Sequence, residues 1–471
     1  MNTADGALMR SHKLAVLGFE GAALLQPDGT VRGGRDELGI DVLRDDVWVT
    51  LGDLRPRISR LGAAPAWLLK FRSGDGDIAL QYSAHNVDNV AVILIELRNE
   101  SSGPVGLRWR GLGCIDTDLR QSRGTTPAGR AWSSAISIND QGHMSLLHHG
   151  TARIVMSMAV GLMPPASALA VDVADSLRGW ERMVDQWAQL DNPELTRVES
   201  WRAMLADVAV YASVPPRQLA FTRVCRELQL AAQLSVEPVT TAYADDLLAR
   251  QLLDGSWLPD GEISTDRQIE ATVDALSAMA IAMRSIDAQS HDVLAKSIET
   301  AIGNAALWLE RNAPTRTWLR RRAQSVPAVV VAALAQAGAA LTDCAKDEDR
   351  VADGRAITSL AEQLVGVVVN HDVPTLTGSP VDAWILTDVA TRTLTLFADP
   401  RQVGNQNVSI GPIVTLLGTV NVAVRWHGER AALLWEIVGT DEPVTLRTGL
   451  DPTWHRLVDA QSGSFVGQTL V

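Results

Sequence analysis

The sequence predicts a multidomain chain of α and β: an N-terminal antiparallel β-sandwich, a central α/α helical toroid-like domain, and a small C-terminal β domain. Three observations predict it. Short apolar runs separated by turn residues fill the first third of the chain. Helical periodicity takes over from about residue 171 to 400. Period-2 alternation then returns, most clearly in Val420–Ile437. The expected boundaries are therefore 1–170, 171–400 and 401–471.

In the first segment, Leu14–Phe19, Ala22–Leu25, Val47–Leu51, Trp67–Phe71, Ile78–Tyr82, Val90–Arg98 and Val105–Trp109 read as strands. Ala131–Ile138 and Ser145–Val160 continue the series. Pro27-Asp28-Gly29 makes a turn, because proline presets φ and glycine accepts the left-handed region. Ala91, Ile93, Ile95 and Leu97 alternate with Val92 and Leu94, so this strand is apolar on both faces, as inside a sandwich.

The middle segment opens with Val173, Leu177, Trp180, Val184 and Trp187, an amphipathic stripe over 171–190. Further helical segments follow at about 195–213, 217–234, 240–253, 266–287, 290–312, 325–342, 353–370 and 381–398. Their joints carry Pro215-Pro216, Asp254-Gly255, Pro259-Asp260-Gly261 and Gly378-Ser379-Pro380. Thr265 is placed to cap the helix near Asp266. In the tail, Val422 and Val424 alternate with Ala423 and Arg425, and His427-Gly428-Glu429-Arg430 turns the chain back. That is a hairpin.

Composition excludes several function classes. A net charge of −13 argues against nucleic acid or an anionic membrane as partner. Cys114, Cys225 and Cys344 are too dispersed for a disulfide framework or a metal site, and suggest reduced thiols in the cytoplasm. No signal-peptide core is visible at the N-terminus. The Ala-rich run Val326–Leu341 is too short to span a bilayer. There is no phosphate-binding glycine loop and no nucleophile elbow, so no cofactor is implied. His143, His148 and His149 alternate faces and do not make a metal site. Fourteen Trp stand against 5 Phe and 3 Tyr, a bias that suits stacking on sugar rings and also follows from a GC-rich genome.

The run Val422-Ala423-Val424-Arg425-Trp426-His427-Gly428-Glu429-Arg430, with Leu433-Leu434-Trp435-Glu436 and Gly449-Leu450-Asp451-Pro452-Thr453-Trp454, resembles the C-terminal β domain of bacterial relatives of six-hairpin glycosidases. The order of sandwich, helical array and β module resembles the glucoamylase-like layout. The resemblance implies a protein that acts on or binds a cytoplasmic oligosaccharide. In such enzymes one carboxylic acid protonates the leaving oxygen and a second carboxylate activates water, roughly 6.5–9.5 Å away when configuration is inverted.

Two helix mouths supply candidates. Asp254-Gly255-Ser256-Trp257-Leu258-Pro259-Asp260-Gly261-Glu262 carries three carboxylates beside a tryptophan, and Pro380-Val381-Asp382-Ala383-Trp384 is the second. Glu262 with Asp382 is the expected acid/base pair. Trp257, Asp260 and Trp384 are the expected substrate contacts, joined by Arg316 and Arg320 at helical spacing. The plainer account makes Asp260 and Glu262 solvated loop charges and Asp382 a helix cap. Roughly nine helical segments fall short of a six-hairpin ring, which keeps a non-catalytic carbohydrate- or protein-binding relative as the alternative. Gln251-Leu252-Leu253-Asp254-Gly255-Ser256-Trp257 also resembles the Q-x-x-x-G-x-W repeat of terpene cyclases, where it ties helix ends together. His427 with Glu429 could form a polar site at the turn, where a solvated histidine is the plainer account, and Trp426 and Trp435 are placed to pair across the strands or pack on the helical domain, packing being favoured over ligand stacking; neither oligomeric state nor protein partner is legible.

Overall fold

The computed structural model describes residues 12–16, 22–33, 36–73, 75–112, 116–119, 134–137, 143–158, 164–211, 216–260, 264–286, 290–312, 379–388, 391–428, 430–439, 443–458 and 465–470. In order it shows antiparallel sheets, then helices, then further sheets. Packing divides the chain into two compact units, Met1–Gln186 with Arg202–Pro215, and Trp187–Trp201 with Pro216–Val471.

In the first unit, β1 (His12–Ala15), β2 (Ala22–Leu25), β3 (Val31–Gly33), β4 (Asp36–Arg44), β10 (Val105–Leu112) and β13 (His143–Leu146) follow one another across a sheet, with β5 (Val47–Thr50) also on β4. A second sheet runs in the order β14 (Thr151–Ser157), β9 (Val90–Asn99), β8 (Gly76–Val87), β7 (Trp67–Ser73), β6 (Arg57–Arg60). A separate ribbon joins β11 (Asp116–Leu119) to β12 (Ser134–Ser137). Leu14, Leu38, Leu80, Tyr82, Ile93, Ile95 and Leu107 belong to one buried cluster drawn from both large sheets.

The doubly apolar character expected of Val90–Arg98 has a structural reason. Ile93 and Ile95 face that cluster, while Val92 and Leu94 pack with Val155, Ala168, Leu169 and Val173 in a second one. Glu96 breaks the apolar run and pairs with Arg153 directly across on β14, at 2.9 Å. Asn99 ends the strand: its amide donates to Gly103 O and Leu146 O, each at 2.8 Å. The second cluster is roofed by α1 (Val173–Val184), whose cap Asp172 accepts from Ala174 N at 2.9 Å. The stripe Val173, Trp180 and Val184 is buried as expected, but the helix stops there. Gln189–Asp191 becomes β15, which pairs antiparallel with β18 (Val408–Thr415). The Trp187 spacing that seemed to extend the helix is coincidental: a strand partner far along the chain overrides local periodicity.

In the second unit, α3 (Phe221–Gln233) packs on α4 (Glu237–Arg250) and α5 (Thr265–Ser285), and α5 and α4 also meet α6 (Asp292–Asn312). The unit boundary falls within α2 (Leu195–Val210). The cap of α5 is Ser264, accepting from Arg267 N at 3.3 Å, one residue before the expected Thr265. The five-stranded sheet of this unit runs β15, β18, β19 (Gly418–His427), β20 (Arg430–Val438), β23 (Phe465–Leu470). A four-stranded sheet runs β16 (Ile385–Asp388), β17 (Thr393–Leu396), β21 (Val444–Thr448), β22 (His455–Val458). The expected hairpin is β19–β20, in register with Val422 opposite Trp435, and Gly428 has φ +69° at its tip.

The helix expected over 381–398 is a correction. That stretch is a turn followed by β16 and β17, with Arg392 and Phe397 both at positive φ. Thr391, Thr393 and Thr395 repeat every second residue with Leu394 and Leu396 between them, which favours a pleated strand over a helix. Both leucines are fully buried. The segments expected at 325–342 and 353–370 lie outside the described residues. No helix among the described residues is long and apolar enough to cross a membrane.

Candidate functional site

The loop after α4 is a clasp rather than an open mouth. Gln251 Nε2 donates to Gly255 O at 2.9 Å and to Ala301 O on α6 at 2.8 Å. Asp254 accepts from Ser256 N and Oγ, which holds its carboxyl below the usual range, the hydroxyl contributing most. Gln268 Nε2 on α5 donates to Ser256 Oγ at 2.7 Å. Trp257 N donates to Thr272 Oγ1 at 3.1 Å, and Trp257 Nε1 to Leu247 O at 2.7 Å. Trp257 is 0% exposed. Its expected role as a sugar platform is therefore corrected: the indole is walled in by α4 and α5 and offers a ligand no face. The Q-x-x-x-G-x-W pattern here ties the C-terminal end of α4 to the bodies of α5 and α6.

Asp260 is exposed, and its carboxylate accepts from Phe221 N at the start of α3. It acts as a helix cap supplied from another loop, where negative charge suits the exposed N–H groups. Asp382 sits in the turn that precedes β16, half-buried, with its N–H donating to Ser379 O at 3.1 Å. Because no helix follows, it caps none. Trp384 is 5% exposed and meets Trp201 and Phe397 edge-on at 6.2 and 6.4 Å, so its expected sugar contact is also corrected to a core role. Ser379 contacts Gln233 at the last turn of α3, whereas Asp260 binds its first residue. A helix of this length separates the two anchors by about 18 Å. Glu262, Arg316 and Arg320 lie outside the described residues.

The remaining candidates resolve as follows. Trp426 lies opposite Ala431 and Trp435 opposite Val422, so the two tryptophans are not cross-strand partners. Trp435 is buried, edge-on to Trp454 at 5.7 Å. His427 is exposed at the turn and Glu429 lies outside the described residues. The rings of His148 and His149 lie 3.7 Å apart, tilted by 41°. No group of three or more metal-ligating side chains occurs among the described residues. A serine–histidine contact does exist, Ser83 Oγ to His85 Nε2 at 2.7 Å, but Ser83 is 0% exposed beneath α1 and no acyl group can reach it.

The arrangement that sequence reasoning missed is a hollow of about 310 Å³ on the second unit's five-stranded sheet. Register builds it. Asp191, Ser409, Ala423 and Leu434 form an unbroken row across β15, β18, β19 and β20; two residues along, Gln189 lies opposite Gly411 and Asn421 opposite Glu436, and Gly411 lies against Asn421 where the β18–β19 register shifts. Side chains two apart on a strand share a face, so both sets present their groups to the same side. Asn421 Nδ2 donates to Glu436 Oε2 at 3.0 Å. Gly411 has φ +146°, and a Cβ there would stand 2.3 Å from Asn421 Oδ1. Only glycine leaves that floor open. The visible half of the signal was the polar set Asn421 and Glu436 facing away from Val422 and Trp435 in the hairpin. Gln189 was hidden because it read as helix, and Asp191 because it fell in the gap between two expected helices.

No family model matches the chain, and neither does any curated protein. Among solved structures it is similar to a bacterial glucoamylase complexed with acarbose, at 8% identity over 77% of this chain and 67% of that one, with a TM-score of 0.45. It is also similar to a polysaccharide lyase, at 11% identity over 75% of this chain and 82% of that one, with a TM-score of 0.16.

Proposed function

We propose that the protein binds an oligosaccharide in the hollow formed by β15, β18, β19 and β20. The observation that carries the reading is a shallow, largely apolar hollow in which Gln189, Asp191, Ser409, Asn421 and Glu436 are set at fixed places on four neighbouring strands around Gly411. Amide, hydroxyl and carboxylate groups fixed on neighbouring strands match the spaced hydroxyls of a sugar chain, and rigid strands lower the cost of ordering them. Binding is favoured over hydrolysis at this place. Asp191 and Glu436 stand on strands three apart and two residues out of step, about 16 Å between backbones, and side chains standing off a sheet keep a spacing of that order, wider than the roughly 6.5–9.5 Å of an inverting pair. Inverting hydrolysis by Glu262 and Asp382, contact through Arg316 and Arg320, a helical toroid within the three-domain division, and a cytoplasmic setting belong to the same proposal in its glycosidase-like form.

Titration calorimetry against a panel of neutral tetrasaccharides tests it. Binding should weaken about ten-fold in Asn421→Ala, the loss of hydrogen bonds to a hydroxyl-rich ligand, with the melting temperature held as a fold control. Unchanged affinity in Asn421→Ala and Ser409→Ala would remove the hollow as the site. Reducing-sugar release by the same panel, with Glu262→Gln and Asp382→Asn alongside, tests the catalytic form: equal release in all three proteins removes that pair.

A further inference from the structure

The charge of the same hollow narrows its ligand, and this step rests on the oligosaccharide-binding reading above. Among the described residues its lining contains two carboxylates, Asp191 and Glu436, and no lysine, arginine or histidine. Among the described residues, no hydrogen bond or ion pair reaches the Asp191 carboxylate, which is exposed at the rim. Glu436 is half-buried, with one oxygen engaged by Asn421. Between the two stand the Ser409 hydroxyl and the Asn421 amide, one on each intervening strand.

Such a wall treats three kinds of sugar differently. A uronate or sulfated chain brings like charge against both ends and is repelled. A neutral chain gains hydrogen bonds alone. A chain bearing ammonium groups gains the same hydrogen bonds and two charge-assisted ones. Three strands over and two residues along, the carboxylates are also about 16 Å apart at the backbone, too far for one ring to touch both. We infer that the hollow selects an oligosaccharide of hexosamine units with unmodified amines, one ammonium at Asp191, a second at Glu436, and the hydroxyls between them on Ser409 and Asn421.

Calorimetry at low salt compares a glucosamine tetramer with its N-acetylated form, a neutral glucose tetramer, a galacturonate tetramer, the glucosamine monomer and tetralysine. The glucosamine tetramer should bind about ten-fold more tightly than the acetylated and neutral chains, and should lose that advantage in roughly 0.5 M salt, where exposed charges are screened. The galacturonate chain should not bind, and the monomer should bind more weakly than the tetramer. Asp191→Asn and Glu436→Gln should each shrink the ratio between the glucosamine and glucose tetramers. Equal affinity for the neutral and amine-bearing chains would overturn the charge selection and leave the oligosaccharide site standing. Tetralysine binding as tightly as the glucosamine tetramer would overturn the sugar assignment, and binding of none of the chains would end both readings.

Discussion

His85 is an imidazole held where charge is unwelcome. It is 7% exposed, and burial first, then Arg153, push its pKa down to about 4, against a smaller opposing pull from Asp172. The unfolded chain takes up a proton near pH 6.5 and the folded chain only near 4, so stability is complete above the first value and falls as pH drops towards the second. The expected loss is about 3 kcal/mol across that interval. Urea midpoints between pH 7.5 and 4.5 measure it, and His85→Gln should flatten the slope while keeping a partner for Ser83. Gly255 is the second residue-scale case. At φ +94°, a Cβ there would stand 2.4 Å from the Asn304 carbonyl oxygen of α6. Gly255→Ala should therefore cost roughly 3 kcal/mol, since neither backbone can give way cheaply; a drop of the urea midpoint small enough to match a surface change would show that α6 moves aside.

Elements were legible where local chemistry decided them. The stripe of α1, the two-faced strand β9 and the Gly428 turn of the β19–β20 hairpin each follow from a few adjacent residues. Asp172 is a direct check on the first: Asp172→Ala should cost about 1 kcal/mol, the ordinary worth of an N-cap, read as a shift in the thermal midpoint. Elements were illegible where a distant partner decided them. Gln189–Asp191 is a strand only because β18 lies beside it, whereas β17 carried a local period-2 signal in Thr393, Leu394, Thr395 and Leu396 that was overlooked. The expected tryptophan platforms were misread for the same reason as β15. Trp257 beside three acidic residues looks like a ligand platform in one dimension, yet its indole N–H is claimed by Leu247 O and its ring by the helices around it. The hollow needed four strands to be brought together before its polar groups shared a face at all.

At the scale of the whole molecule, a net charge of −13 sets behaviour in solution. Self-repulsion opposes non-specific association at neutral pH, and that protection fades as carboxylates protonate near the isoelectric point of about 5.2. The same interval weakens the fold through His85. Turbidity should therefore peak close to pH 5, and His85→Gln should reduce it; a peak unaffected by that substitution would assign the effect to net charge alone.

A further consequence follows from β9. A strand that is oily on one side and wet on the other has a preferred way up, and a slip by one residue is punished at every position. Val92 and Leu94 would fill the places of Ile93 and Ile95 almost as well, so greasiness alone does not choose between the two alignments. The choice falls to polar neighbours: Glu96 must meet Arg153, and Asn99 must reach Gly103 O and Leu146 O. Those few groups act as the keyway of an otherwise featureless shaft. Blunting both, in Glu96→Leu with Asn99→Leu, should yield a chain that still collapses and buries its apolar strands but populates two alignments, seen as doubled amide resonances along β8 and β14.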